Sequence, residues 1–150
     1  MKLTFDKWDA PCASYLVNAM FDHEKNLAEA VENLKGTEFD TIVVTGVSGL
    51  VFGVPLAQKM NKHIAIVRKE QDGTHSHKSI EATVKRDELG RWLFVDDLID
   101  TGKTEKRVKA KIKEHTDGVA VYIGSYLFEN HNLRIEPKFR PKKVKKMVVA

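Results

Sequence analysis

Three acids, two threonines and a glycine fall within nine residues, Asp96 to Thr104, directly after the apolar run Arg91 to Val95. Adjacent carboxylates at the end of a strand point to opposite sides, so Asp96 and Asp97 can serve different partners, such as a hydroxyl pair and a metal-bound water. Both would be costly to bury without a partner. Thr101 to Thr104 offers free backbone N–H groups at a helix start, two hydroxyls, and in Gly102 a residue that lets an anion approach the main chain. Acids that grip a hydroxylated ring beside a cup for a phosphate describe a sugar-phosphate site. Gly102-Lys103-Thr104 has the ending of a P-loop, but that motif requires glycine at position 97, and Asp97 excludes it. The plainer reading, Asp100 and Thr101 as helix caps, accounts for single residues but not for this concentration of acids and hydroxyls.

The elements that must hold these groups alternate along the chain. Asp22 can cap a helix whose Leu27, Ala30, Val31 and Leu34 recur at helical spacing before Gly36, and Pro11 suits the first turn of an earlier one. Thr41 to Thr45 is a continuous apolar run, expected as a strand buried on both faces. A glycine-punctuated turn, Gly46-Val47-Ser48-Gly49, leads into a helix through Met60. Its amides can cradle an anion, or it is a simple strand-to-helix turn. Further strands are expected over 63–68, 91–95 and 118–123, with a helix over 104–115. Strands alternating with helices over short connections predict an α/β fold with a parallel sheet covered on both faces. Ligands of such sheets bind at the carboxyl ends of the strands.

VDDLIDTGKT, residues 95–104, resembles the signature with which type I phosphoribosyltransferases bind 5-phosphoribosyl 1-pyrophosphate. The resemblance implies a mainly parallel, twisted sheet flanked by helices within one domain, 1–150. The core would span about 37–124, with a small hood from 1–36, to which 125–150 is a candidate addition. It implies that Asp96 and Asp97 hold the ribose hydroxyls and bind Mg²⁺ through water. Asp100, Thr101, Gly102, Lys103 and Thr104 would wrap the 5′-phosphate, with Asp100 also the proton acceptor near the incoming base. TGVSGLVFG, residues 45–53, is similar to the family's pyrophosphate loop, which assigns Gly46, Val47, Ser48 and Gly49 to the pyrophosphate. Val47 and Ser48 stand where that loop usually carries a basic residue or glycine. Arg68 and Lys69 resemble the basic residues that meet the same group, and 70–78 looks like a lid that excludes water. The implied activity is transfer of ribose 5-phosphate to a nitrogenous base with release of pyrophosphate, with a purine preferred on the wording of the motif. The alternative is a regulator of the same fold that senses phosphoribosyl pyrophosphate or nucleotides and binds RNA or a protein partner.

The remaining features narrow the setting. Hydrophobic residues make up 42% and charged residues 31% of the 150, and no apolar run approaches the roughly 20 residues of a membrane span. Cys12 is the single cysteine, so no internal disulfide forms, and the opening residues lack a signal-peptide core; the cytoplasm is the expected compartment. From His131 onward seven Lys and Arg face the single Glu136, more than the whole chain's net +4, so the preceding body is slightly acidic. Small-molecule substrates are therefore the expected partners rather than nucleic acid or membrane, with a homodimer as the candidate assembly. His75 and His77 lack a third nearby Cys or His for a metal site. Trp8, Tyr15, Phe21, Tyr126 and Phe128 are available to stack on a base, or to fill the core.

Overall fold

The computed structural model describes residues 22–69 and 79–141. The helix expected near Pro11, the segment 70–78 with its two histidines, and the tail from Lys143 lie outside the described residues. Helix α1 (His23–Leu34) forms where the apolar spacing predicts it and buries Leu27, Ala30 and Leu34. Strand β1 (Thr41–Thr45) is buried at every position, as an unalternating run should be. Then follow α2 (Gly46–Met60), β2 (His63–Val67), β3 (Ile80–Ala82), a 3-10 turn at Arg86–Glu88, β4 (Arg91–Asp96), α3 (Lys103–His115), β5 (Val121–Leu127) and β6 (Asn132–Ile135).

The sheet has six strands in the order β3-β2-β1-β4-β5-β6. The central four run parallel, while β3 pairs antiparallel with β2 and β6 with β5 at the edges. Side-chain alternation sorts the core into two layers. Ile42, Val44, Leu93 and Val95 pack with Leu27, Leu34, Phe52 and Leu56 from α1 and α2, whereas Val43, Trp92 and Phe94 pack with Val108 and Ile112 from α3. The chain leaves β1 toward β2 and β3, then returns to β4 on the other side of β1. The strand order therefore reverses between β1 and β4, the place where open α/β sheets bind ligands.

Three expectations need correction. The glycine turn at 46–49 is the first turn of α2 itself, because Gly46 reverses the chain in a single residue at φ +68°. The strand expected over 118–123 runs from Val121 to Leu127. Asp117 and Gly118 take left-handed conformations that close α3, and Gly124, which reads as a strand breaker, is accommodated at a register shift opposite Trp92 and Leu93. A Cβ there would lie 2.2 Å from the Arg134 carbonyl oxygen, so the close approach of β6 requires glycine. Residues 125–127 and 132–135 thus belong to the sheet rather than to a hood, and the core extends past 124 to Ile135.

Candidate functional site

β4 delivers its two acids at the reversal point. Asp96 ends the strand almost fully buried, and Asp97 follows half-buried. Asp96 Oδ1 accepts the Asp97 N–H at 2.9 Å, and Asp97 Oδ1 accepts that of Leu98 at 2.8 Å. The Asp96 and Asp97 carbonyls accept from the amides of Phe128 and Glu129, which pins this corner to the end of β5. Burial pushes the Asp96 carboxyl up to about 7, helped by the neighbouring Asp97 and opposed by the Asp97 amide and the Lys69 ammonium. Near neutral pH the group is thus poised between acid and carboxylate.

After the acids the loop passes exposed Asp100 and Thr101 and reaches Gly102, the N-cap of α3, at φ +78°. Gly102 has no side chain to cap α3, so the capping reading rests on Thr101 alone. Thr101 Oγ1 accepts the Lys103 amide at 3.4 Å, a weak local turn contact. A Cβ on Gly102 would meet nothing within 4 Å, so the space beside this residue at the helix start is open. A groove of about 940 Å³ adjoins this cup at Thr101, Gly102 and Lys103 and continues past Lys109 to Tyr122 and Arg134.

The second group of expected residues gathers across the sheet from the cup. Gly46, Val47, Ser48 and Gly49 form the opening turn of α2, whose first amides have no partner within the helix and no side-chain cap. Gly49 is packed so closely that a Cβ would sit 3.2 Å from Val44 Cβ, while Val47 is exposed. Lys69, just past β2, lies over this turn: a Cβ on Gly46 would be 3.4 Å from its Cε and 3.5 Å from its Nζ. The turn also lies against the end of β4, since a Cβ on Gly49 would sit 3.6 Å from the Val95 carbonyl oxygen, and the Lys69 ammonium favours the Asp96 carboxylate.

Arg68 does not join them. Its guanidinium pairs with Glu81 of β3 at 2.8 Å, and its Nε is buried without a hydrogen-bond partner. Of the two basic residues expected on the pyrophosphate, the structure brings only Lys69 to the site. A third, Arg107 of α3, went unforeseen. It donates to Thr45 Oγ1 at 2.9 Å and to the Arg68 carbonyl at 3.3 Å. In sequence it is one cation among many on a polar helix, and its one distinguishing sign is that it is the arginine of a lysine-rich stretch, beside the buried Val108.

The aromatic candidates divide in the same way. Tyr126 is fully buried, its hydroxyl bonded to Asn33 and to His131, whose other ring nitrogen meets Glu29 at 3.2 Å. Phe128 stacks on Phe52 with centroids 4.2 Å apart. Both serve the core here, while Trp8, Tyr15 and Phe21 lie outside the described residues. Among the described residues no cluster of three or more acids, histidines and cysteines is placed to hold a metal. Asp96 and Asp97 nonetheless fit Mg²⁺, which is commonly held by one or two carboxylates with water and substrate oxygens completing its shell. No helix of the described residues is long and apolar enough to cross a membrane.

No family model matches the chain. Over 106 residues, 61% of the chain, it is 32% identical to an adenine phosphoribosyltransferase of Lachnoclostridium phytofermentans, and it spans 59% of that protein's length. Among solved structures it is similar to an adenine phosphoribosyltransferase from Thermoanaerobacter pseudethanolicus (TM-score 0.56, 23% identity, 75% of this chain and 70% of that one). It is also similar to a purine phosphoribosyltransferase from Pyrococcus horikoshii (TM-score 0.51, 18% identity, 72% of each chain). The likeness to UMP synthase of Leishmania donovani has a TM-score of 0.56 at 20% identity, covering 76% of this chain and 24% of that one. The fold is that of the type I phosphoribosyltransferases, as the resemblance in the sequence implies.

Proposed function

We propose that the chain is a phosphoribosyltransferase that binds 5-phosphoribosyl 1-pyrophosphate with Mg²⁺ and transfers its ribose 5-phosphate to a purine base, releasing pyrophosphate. The observation that carries this reading is the convergence of Lys69, the Gly46 turn and Asp96 from three strand ends, with the open amides of α3 following the same acids. A donor with a phosphate at one end and a pyrophosphate at the other matches two anion-binding helix starts separated by paired carboxylates.

The chemistry assigned to these residues is positional and electrostatic. Amides 103–105 with Thr101 and Thr104 hold the 5′-phosphate, and Asp96 and Asp97 orient the ribose through its hydroxyls. As the bond from C1 to the pyrophosphate breaks, positive charge develops on the sugar, and the two carboxylates beneath it stabilise that charge. Lys69 and the amides of the α2 turn take up the negative charge of the leaving group. Mg²⁺, when bound by Asp96 and Asp97 through water, supplies further neutralisation of the pyrophosphate. Asp100, exposed on the loop, accepts the proton the base loses.

Each free purine and pyrimidine base, incubated with phosphoribosyl pyrophosphate and Mg²⁺ and followed by pyrophosphate release, tests this directly. Adenine is expected to give turnover, in line with the name of the relative. Binding of the donor without release of pyrophosphate to any base would refute the assignment as a transferase.

A further inference from the structure

Arg107 ties together the two strand ends on which the pyrophosphate half of the site is built. The last registered pair between β1 and β2 is Thr45 with Val67. Beyond it the ladder stops, and side chains take over: Thr45 Oγ1 donates to the Val67 carbonyl at 2.7 Å while accepting from Arg107 at 2.9 Å. The other arm of the guanidinium donates to the Arg68 carbonyl at 3.3 Å. Arg68 is thereby held at three points, since its amide donates to Ser79 at 2.8 Å and its side chain pairs with Glu81. The residue that follows this fixed anchor is Lys69, and the residue that follows Thr45 is Gly46, over which Lys69 lies.

The arrangement has a consequence for charge. The α2 turn carries Val47 and Ser48, neither of them basic, so the positive charge facing a pyrophosphate there comes from the end of β2. We propose that Arg107 is a positioning residue for the pyrophosphate half of the site, holding the ends of β1 and β2 in the register that lays Lys69 over the first turn of α2. This deepens the phosphoribosyl-transfer reading and rests on it. A planar guanidinium suits the task because it donates to two acceptors at once in a fixed geometry, whereas a lysine ammonium at the end of a flexible stem would hold them less firmly. Its two acceptors lie 62 and 39 residues away in sequence, on segments otherwise joined to α3 chiefly through the apolar contacts of Val108 and Ile112.

The test compares two ligands on the full chain by calorimetry: phosphoribosyl pyrophosphate with Mg²⁺, and ribose 5-phosphate, which lacks the pyrophosphate. Arg107→Met is expected to raise the dissociation constant for the first at least tenfold and to leave the second within twofold. Arg107→Lys, keeping the charge but not the fork, should fall between wild type and Arg107→Met for the first ligand alone. Equal losses for both ligands in a variant with an unchanged melting curve overturn the inference, because a clamp that serves only the fold has no reason to discriminate. Should Arg107→Met fail to fold, the same comparison on Arg107→Lys decides the matter. If the wild-type protein binds neither ligand, the transferase reading fails and the inference with it; binding by the wild type with ligand-independent losses sinks the inference alone.

Discussion

The buried acid at the end of β4 makes the stability of the free protein depend on pH in a direction opposite to that of an ordinary carboxylate. Asp96 titrates from a reference value of 3.8 to about 7 in the fold. Between those values the folded chain holds a proton that the unfolded chain has released, so stability falls as pH rises from about 4 toward 7 and is flat above. At about 1.4 kcal/mol for each full unit of linkage, raising the pH from 5 to 8 removes on the order of 2–3 kcal/mol through this one group. Asp96→Asn removes the ionisation while leaving an amide oxygen that can still accept the Asp97 N–H now bonded at 2.9 Å. The assay is urea unfolding of both proteins at pH 5 and pH 8, without ligand. The wild type should lose that 2–3 kcal/mol relative to the variant between the two values, the difference cancelling the titration of the carboxyls outside the Asp96–Asp97 pair. A variant whose stability changes with pH in parallel with the wild type would refute the reasoning and show that Asp96 is ionised and satisfied in the free protein. The same variant should lose binding of phosphoribosyl pyrophosphate at both pH values, separating the cost to the fold from the use in the site.

Gly102→Ala forces a side chain into a left-handed backbone at φ +78° although nothing crowds the added atom; thermal unfolding should show a loss of about 1–2 kcal/mol, and weaker phosphate binding should accompany it. Thr101→Ala with Thr104→Ala removes two hydroxyls and keeps the amides of α3, so calorimetry should give at least a tenfold weaker complex with phosphoribosyl pyrophosphate and little change for a ribose ligand without the 5′-phosphate; equal losses for both would remove 101–104 from the phosphate site. Tyr126→Phe leaves Asn33 and His131 without their shared hydroxyl and should cost about 1–3 kcal/mol in urea unfolding, with ligand affinity unchanged.

What could be read in the sequence and what could not differ in a physical way. Asp96, Asp97 and the 101–104 cup form a concentration of charge and backbone freedom within nine residues, and a strand end followed by a helix start fixes their relative placement with little help from the rest of the chain. The parallel core was legible for a related reason: Thr41–Thr45 and Trp92–Val95 are runs whose burial on both faces leaves little choice of layer. β3 and β6 were not, because strands of three and four residues at the sheet edges, half exposed, carry no alternation long enough to recognise. The continuation of β5 through Gly124 was hidden by a residue whose ordinary meaning is to break strands, and whose reason here is the Arg134 carbonyl on a neighbouring strand.

The same distinction separates Lys69 from Arg68. The two are adjacent, both carry a positive charge, and in sequence they are equally plausible as partners of a pyrophosphate. The choice between them is made by Glu81 on β3, which claims the Arg68 guanidinium, and by Arg107, which fixes the Arg68 carbonyl from α3. Neither residue is near in sequence, and neither belongs to a recognisable motif. On the phosphoribosyl-transfer reading the site has two halves of different origin. The phosphate half is built from consecutive residues, whereas the pyrophosphate half adds to the α2 turn a side chain, Lys69, that reaches it only because the sheet sets the ends of β1 and β2 side by side. Substitutions far from any motif, at Glu81 or Arg107, should thus weaken the second half while the first half retains its ligand.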